Sequence, residues 1–177
     1  MNRITMLLLL WLATPCLFAA EPPRKTAAPI EIEADSLSFN QANGMSRYHG
    51  HVRLKQGIFL FTAEEISVDM GRPDAAGGQK QLQQFTAKGS PVRFARQDAT
   101  PLQGEAREIL FNAATRHVTF NGAARIEQQG DRFEGDLIRY HLDSNRIEAM
   151  SSQQENANSR VRVTLQPRNV PAPATDE

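Results

Sequence analysis

Apolar and polar residues alternate along most of the chain. The alternating sets are Ile30 and Ile32, Leu37 and Phe39, Val52 and Leu54, Ile66 and Val68, Val92 and Phe94, Val118 and Phe120, then Ile138, Tyr140 and Leu142, and last Val161, Val163 and Leu165. Because successive side chains of a strand point to opposite faces, this period predicts strands with one apolar face. No segment has a convincing helical period, so we expect an all-β, antiparallel protein.

Two sequence units recur between these sets. The first is a short acidic turn followed by an alternating pair, and it begins at Ala34, Ala63, Ala106 and Gly135. The second is a glycine placed before a strand, at Gly50, Gly89 and Gly122. Repeated units that cannot bury an apolar face alone stack on one another, which predicts an elongated body of similar rungs with two open ends. Repeats of this kind also arise by chance in antiparallel proteins, and that alternative stays open.

The two ends of the chain lack the alternation. Residues 1–20 predict a signal peptide removed on export, because a positive residue precedes an apolar run that ends in small residues. Residues 21–28 predict a linker, and the proline-rich residues 167–177 predict a disordered tail. Residues 29–166 between them are expected to form one domain. A retained membrane anchor, or a lipoprotein acylated at Cys16, is the alternative for the first segment.

Composition narrows the partners and the chemistry. The chain has 20 lysine and arginine residues and 20 aspartate and glutamate residues, so no net field attracts nucleic acid. Its 1 cysteine lies in the predicted signal peptide, which would leave the exported protein without thiol chemistry. The sequence also contains no glycine-rich phosphate loop, no serine nucleophile elbow and no zinc-protease motif. We therefore expect no catalytic residue, no metal and no other cofactor.

Histidines and carboxylates are the remaining candidates for a reactive site. His49 and His51 could hold a metal ion together with His117 or His141, but they flank Gly50, where a solvated turn is the preferred interpretation. The acidic candidates for acid and base work are Glu64, Glu65, Asp131, Glu134 and Asp136. Because an acidic position recurs at the same place in several repeats, capping of backbone N–H groups in turns is the better explanation.

The segment after Gly57 is apolar at consecutive positions. Residues 58–61, with the sequence IFLF, predict a strand that is apolar on both faces. A strand covered by sheets on both sides has the same composition, so that interpretation stays open. The functional interpretation is an apolar groove, to which later strands add Phe94, Phe111, Phe120 and Phe133. Such a groove would suit acyl chains, since burial of each methylene contributes about 0.8 kcal/mol.

The order of these residues resembles the OstA-like family of periplasmic lipopolysaccharide-transport proteins. The resemblance extends from about Pro29 to Gln166, and its main motifs are PIEIEAD at 29–35, Gly89-Ser90-Pro91, Gly135-Asp136 and RVRVT at 160–164. It implies a twisted, half-open antiparallel β-jellyroll in the periplasm. The interior of that fold would shelter the acyl chains of lipid A while the sugars stay in water.

The resemblance also implies partners and site residues. Lipopolysaccharide would pass from the inner to the outer membrane along copies joined head to tail, between an inner-membrane-anchored OstA-like component and an outer-membrane component with an OstA-like domain. Unpaired sheet edges would supply the contacts between these partners. The implied groove residues are Ile30, Ile32, Phe59, Phe61, Phe94 and Phe111. The implied strand-edge assembly residues are Val161, Val163 and Leu165.

Two other functions stay open at the level of sequence. A non-catalytic envelope scaffold or adhesion module would use the same stacked strands without a lipid-filled interior. An enzyme acting on envelope glycans would need two carboxyl groups roughly 5 to 9.5 Å apart in a cleft. The apolar segment at residues 58–61 favours the transport protein over the scaffold.

Overall fold

The computed structural model describes residues 28–71, 82–151 and 160–167 of the chain. The predicted signal peptide, the linker before Ala28 and the tail beyond Pro167 lie outside these residues. Within the described ranges, no helix is long and apolar enough to cross a membrane.

Strands account for most of the described chain. They are β1 Ile30–Glu33, β2 Ser36–Asn40, β3 Met45–Gln56, β4 Phe59–Asp69, β5 Gln84–Arg96, β6 Leu102–Asn112, β7 His117–Gln128, β8 Asp131–His141, β9 Arg146–Met150 and β10 Arg162–Thr164. All of them belong to one sheet, and every pairing in it is antiparallel. The predicted all-β, antiparallel fold is confirmed.

The sheet has a split strand at each end. Its order is β1-β3-β4-β5-β6-β7-β8-β10, while β2 lies beside β1 on β3 and β9 lies beside β10 on β8. Strands β1 and β2 therefore share one partner, as do β9 and β10. No pairing between the two ends occurs in the described part of the chain, so the sheet stays open.

Each long strand changes register near its middle. The shifts lie between His49 and Val52 on β3 and between Asn121 and Ala124 on β7, with matching shifts on the strands between them. The backbone explains the shift on β3, because Gly50 and His51 both have positive φ, at 81° and 45°. Two residues in the left-handed region add a bulge, which bends the strand.

The position of these bends corrects one prediction from the sequence. We expected Gly50, Gly89 and Gly122 each to stand before the start of a strand, but all three lie inside long strands. The prediction was wrong because a bulge interrupts the alternation and carries the same residue types as a turn.

The acidic units face the glycines across the bends: the Asp35 N–H donates to the Gly50 carbonyl at 3.0 Å. Similarly, the Ser90 N–H donates to Glu64 Oε1 at 3.2 Å, as capping predicts.

The shared bends divide the sheet into two halves. The first half-sheet contains β2, β9 and the strand segments between them; the second contains β1, β10 and the other segments. Aromatic contacts join the inner faces of the halves: Phe61 and Phe85 lie 4.8 Å apart, and Phe94 and Phe120 lie 5.7 Å apart, between ring centroids. Each buried side chain of this size stabilises the fold by roughly 1.5–3 kcal/mol.

Gly104 provides a test of this close packing. A Cβ atom at Gly104 would lie 2.5 Å from the Phe120 ring on the opposite half-sheet. We expect Gly104→Val to lower the free energy of unfolding by about 2–3 kcal/mol through overpacking, measured by urea denaturation. The control is Gln103→Val, one position away on the exposed face of β6, where the change should be within about 0.5 kcal/mol. Equal effects at the two positions would contradict the packing of the half-sheets against each other.

Candidate functional site

An apolar cavity of about 290 Å³ opens between the two half-sheets. Phe59, Phe61 and Phe94 line it from the second half-sheet, and Phe85 and Phe111 from the first. The cavity lies where strand ends approach each other, so Gly57, Ile58, Arg116 and Leu142 also border it. Its walls offer apolar contact, and its rim carries charge.

Four of the six predicted groove residues meet at this cavity, namely Phe59, Phe61, Phe94 and Phe111. Phe61 and Phe94 are only 4% and 2% exposed, so they form both the cavity floor and the protein core. Phe59 and Phe111 are partly buried and pack against that core.

The other two predicted groove residues lie at the sheet edge. Ile32 is the cross-strand neighbour of Leu54, which is followed by Phe61 and then Phe94 in the same row. Ile30 and Ile32 therefore share the inner face with the cavity residues, but neither borders the cavity itself.

The apolar segment at residues 58–61 has two different faces. Phe59 and Phe61 point inward, whereas Leu60 lies over a depression on the outer face with Arg93 and Arg125. No second sheet covers Leu60 in the described chain. The structure thus gives no support to the interpretation that sheets cover this strand on both sides.

A buried arginine that the sequence analysis missed joins the two half-sheets beside the cavity. Arg96 is 5% exposed and ends β5, where its cross-strand neighbour is Phe59. Its guanidinium donates to the Tyr140 hydroxyl and, at 2.7 Å, to Asn145 Oδ1 on the other half-sheet. Its remaining donors reach Asp98 Oδ1 at 3.2 Å and the Thr100 carbonyl at 2.5 Å. We call Arg96, Tyr140 and Asn145 the clasp.

The clasp connects the two half-sheets through hydrogen bonds, and no buried side-chain nitrogen or oxygen atom of the described residues lacks a partner. Tyr140 is buried, and its hydroxyl lies 2.8 Å from Asn145 Oδ1. Burial raises the pKa of the Tyr140 phenol, and the neighbouring Arg96 partly opposes that shift. The phenol therefore stays protonated at neutral pH. A sequence signal for the clasp did exist, because Arg96 is two residues from Phe94 and so points to the same inner face.

The histidines do not converge on one site. His51 Nδ1 lies 2.8 Å from Asp35 Oδ2, and this hydrogen bond raises the pKa of the His51 imidazole. His117 and His141 are neighbours on β7 and β8, with ring centroids 4.1 Å apart, several strands away from β3. Among the described residues, no group of three or more potential ligands could hold a metal ion.

The predicted assembly residues lie at the opposite edge from β1. Val163 belongs to β10 and pairs with Phe133, while Val161 and Leu165 flank that strand. Their exposed fractions are 40% for Val161, 47% for Val163 and 65% for Leu165. The outer side of β10 has no strand partner within the described chain.

Comparison with known proteins identifies the family. Residues 31–146 match the family model of the LptA/(LptD N-terminal domain) LPS transport proteins, which covers more than half of the chain. The chain belongs to this LptA/LptD N-terminal-domain family. It is a lipopolysaccharide transport protein and not an enzyme, as the sequence predicts, and membership does not favour the scaffold alternative.

Individual members of the LptA/LptD N-terminal-domain family are similar to this chain in sequence and in fold. The chain is 26% identical over 130 residues to the lipopolysaccharide export system protein LptA of Escherichia coli K12, across 72% of this chain and 68% of the relative. It is 24% identical over 152 residues to LptH of Pseudomonas aeruginosa, across 82% and 83%. The crystal structure of LptH superposes with a TM-score of 0.69 at 22% identity, over 79% of this chain and 96% of that one. The fold is therefore the open, jellyroll-like fold of that structure.

The clasp yields a stability prediction. We expect Arg96→Met to lower the free energy of unfolding by about 3 kcal/mol, because the Tyr140 hydroxyl and Asn145 lose a buried charged partner. Urea denaturation measures the change. Arg132→Met is the control, since Arg132 pairs with Glu127 on the exposed outer face and should contribute less than about 1 kcal/mol. A similar loss in both variants would show that the clasp is not a special link between the half-sheets.

Proposed function

We propose that this chain is a periplasmic bridge that holds the acyl chains of lipopolysaccharide between its half-sheets and passes the lipid from the inner to the outer membrane. The observation that carries the proposal is the apolar cavity beneath Phe59 and Phe111. Two similarities support it: membership of a lipopolysaccharide transport family, and likeness to LptH, which is a periplasmic component of the lipopolysaccharide transport device of Pseudomonas aeruginosa. The proposal includes residues 1–20 as a cleaved signal peptide.

The chemistry of the cavity suits one end of the lipid. Its aromatic walls exclude water, so each acyl methylene that enters gains about 0.8 kcal/mol. Arg116 at the rim forms an ion pair with Asp143 and leaves the mouth polar, which suits the head group. At about 290 Å³ the cavity lies near the lower end of ordinary ligand pockets and encloses only part of a large lipid. Partial burial favours release as well as binding, as a transport protein requires.

The open edges suit assembly with similar domains. An unpaired edge presents free N–H and C=O groups that an added strand can satisfy. We propose that the β1 and β2 edge receives the inner-membrane-anchored OstA-like component or another copy. The β9 and β10 edge, with Val161, Val163 and Leu165, offers strands to the next copy or to the OstA-like domain of the outer-membrane component. Head-to-tail contacts of this kind propagate rather than close.

Photocrosslinking in cells tests the lipid path. With a benzophenone amino acid at Phe59 or at Phe111, we expect adducts that react with antibody against lipopolysaccharide, because both side chains are partly exposed at the cavity. The matched control is Leu60, the next residue along β4, whose side chain lies on the outer face. Phe94 is a poor position for the probe, since its burial leaves no room for a larger side chain.

Each outcome of the crosslinking experiment has a definite meaning. Adducts from Phe59 and Phe111 but not from Leu60 support an interior lipid path. Equal adducts from all three positions place the lipid on the surface and contradict the cavity. A folded protein without adducts at any position contradicts lipid binding and favours the envelope scaffold.

Deletion of residues 160–166 tests the assembly. We expect the shortened chain to stay monomeric at concentrations where the parent chain associates, because β10 and its flanking apolar residues would be absent. Sedimentation velocity over a range of concentrations measures the association. A chain that ends at Pro167 is the control and should associate like the parent. Long oligomers in the deletion variant would contradict assembly through this edge.

A further inference from the structure

A row of eight side chains, seven of them charged, crosses the outer face of the second half-sheet. We call it the charged row. In strand order the row contains Glu33, Arg53, Thr62, Arg93, Glu105, Arg125, Glu134 and Arg162, each the cross-strand neighbour of the next. Three neighbouring pairs form ion pairs: Arg125 lies 3.1 Å from Glu105 and from Glu134, and Arg162 lies 3.4 Å from Glu134. Opposite charges on neighbouring strands stabilise the pairing of those strands.

The charged row ends in opposite charges at the two sheet edges. Glu33 is exposed on β1 and has no ion-pair partner among the described residues. Arg162 lies on β10, and its side chain is 79% exposed despite its contact with Glu134. If β10 of one copy lay beside β1 of the next, Arg162 and Glu33 would therefore bring opposite charges together and the row would continue into the next copy.

An apolar row on the inner face ends at the same two edges. It contains Ile32, Leu54, Phe61, Phe94, Gly104, Ile126, Phe133 and Val163. Ile32 is partly exposed at one edge, and Val163 is 47% exposed at the other. Ile32 and Glu33 are consecutive on β1, as are Arg162 and Val163 on β10, so one alignment matches both rows.

The strand directions allow this alignment. Every neighbouring pair in the path from β1 to β10 is antiparallel, and the path has an even number of strands, so β1 and β10 run in opposite directions. A second copy displaced along the sheet would then place its β1 antiparallel to β10 of the first. The junction has the same geometry as the pairings inside the sheet.

We propose that two copies of this chain join in one register, with Arg162 opposite Glu33, Val163 opposite Ile32 and Thr164 opposite Glu31. This inference rests on the proposed head-to-tail assembly and specifies its contact. It commits to a second copy as the occupant of the edge, because the charge of each edge complements the charge of the other.

Other registers lose contacts at this junction. A slip of one residue would place the charged row of one copy against the apolar row of the other. A slip of two residues keeps each row on its own face, but it removes part of the pairing between β2 of one copy and β9 of the other in the first half-sheet. In the proposed register the exposed inner-face residues Leu37 and Phe39 of β2 lie opposite Ala149 and Ile147 of β9. After a slip of two, one of Leu37 and Phe39 lies beyond the end of β9.

Disulfide trapping between copies tests the register. The full chain with Cys16→Ser is made in three forms that carry Val163→Cys, Ile32→Cys or Ile30→Cys, and pairs of forms are mixed under mild oxidation. Directly opposed residues lie about 4.5–5.5 Å apart at Cα, within disulfide reach. Diagonal neighbours are about 7–8 Å apart and should react at least tenfold more slowly. Thr164→Cys with Glu31→Cys is a second in-register pair, on the outer face.

The outcomes separate this inference from the proposed function. A covalent dimer from Val163→Cys with Ile32→Cys, and much less with Ile30→Cys, supports the register; the outer-face pair should agree. Faster reaction with Ile30→Cys overturns the register while head-to-tail assembly stands. If no pair reacts although the parent chain sediments as oligomers, the β1 to β10 contact between copies is wrong. A parent chain that stays monomeric at every concentration overturns the proposed assembly and the register together.

Discussion

The rest of the structure depends on the alignment of the bends in the long strands. At Gly50 and His51 on β3, and at Gly122 and Ala123 on β7, consecutive residues have positive φ. A single bulge would only twist one strand, but bulges at the same level of neighbouring strands bend the whole sheet. The bend turns one continuous sheet into two faces that bury each other, so the described residues form a core without a second sheet or a helix.

The bend also explains why one inner surface can serve both stability and the proposed lipid binding. Phe94 contacts aromatic rings on its own half-sheet and on the other, at 4.8 Å from Phe61 and 5.7 Å from Phe120. Nearer the strand ends the halves separate, and Phe59 and Phe111 border open space. Arg96 limits this separation on one side, since its hydrogen bonds to Tyr140 and Asn145 connect the halves. The buried core residues and the residues that line the cavity thus belong to one continuous inner surface.

The sequence pattern predicted which face of the sheet a side chain occupies more reliably than it predicted where each strand begins and ends. Alternation predicted that Ile32 and Phe94 lie on the apolar faces of their strands, because the period of a strand decides which face a side chain occupies. The family resemblance assigned Phe61 to the same surface, since residues 58–61 are apolar at every position and do not alternate. The same alternation could not distinguish a bulge from a turn, so Gly50 was assigned to a boundary that does not exist. The clasp was missed for a different reason: Arg96 is in phase with Phe94, but the Tyr140 and Asn145 oxygens that satisfy its charge lie far along the chain. Hydrogen-bond partners that only a bend of the sheet brings together leave no local pattern in the sequence.

An open sheet and an open groove are two results of one architecture. A closed barrel would satisfy the backbone groups of every strand, but it would also seal the interior at a fixed circumference. Here the end strands are split into β1 with β2 and β9 with β10, and among the described residues no further strand pairs with the outer edge of either half-sheet. An added domain that continues both half-sheets continues the space between them as well. The proposed assembly through the edges would therefore lengthen the apolar interior, and a continuous path for the lipid would follow from continuous hydrogen bonding between copies.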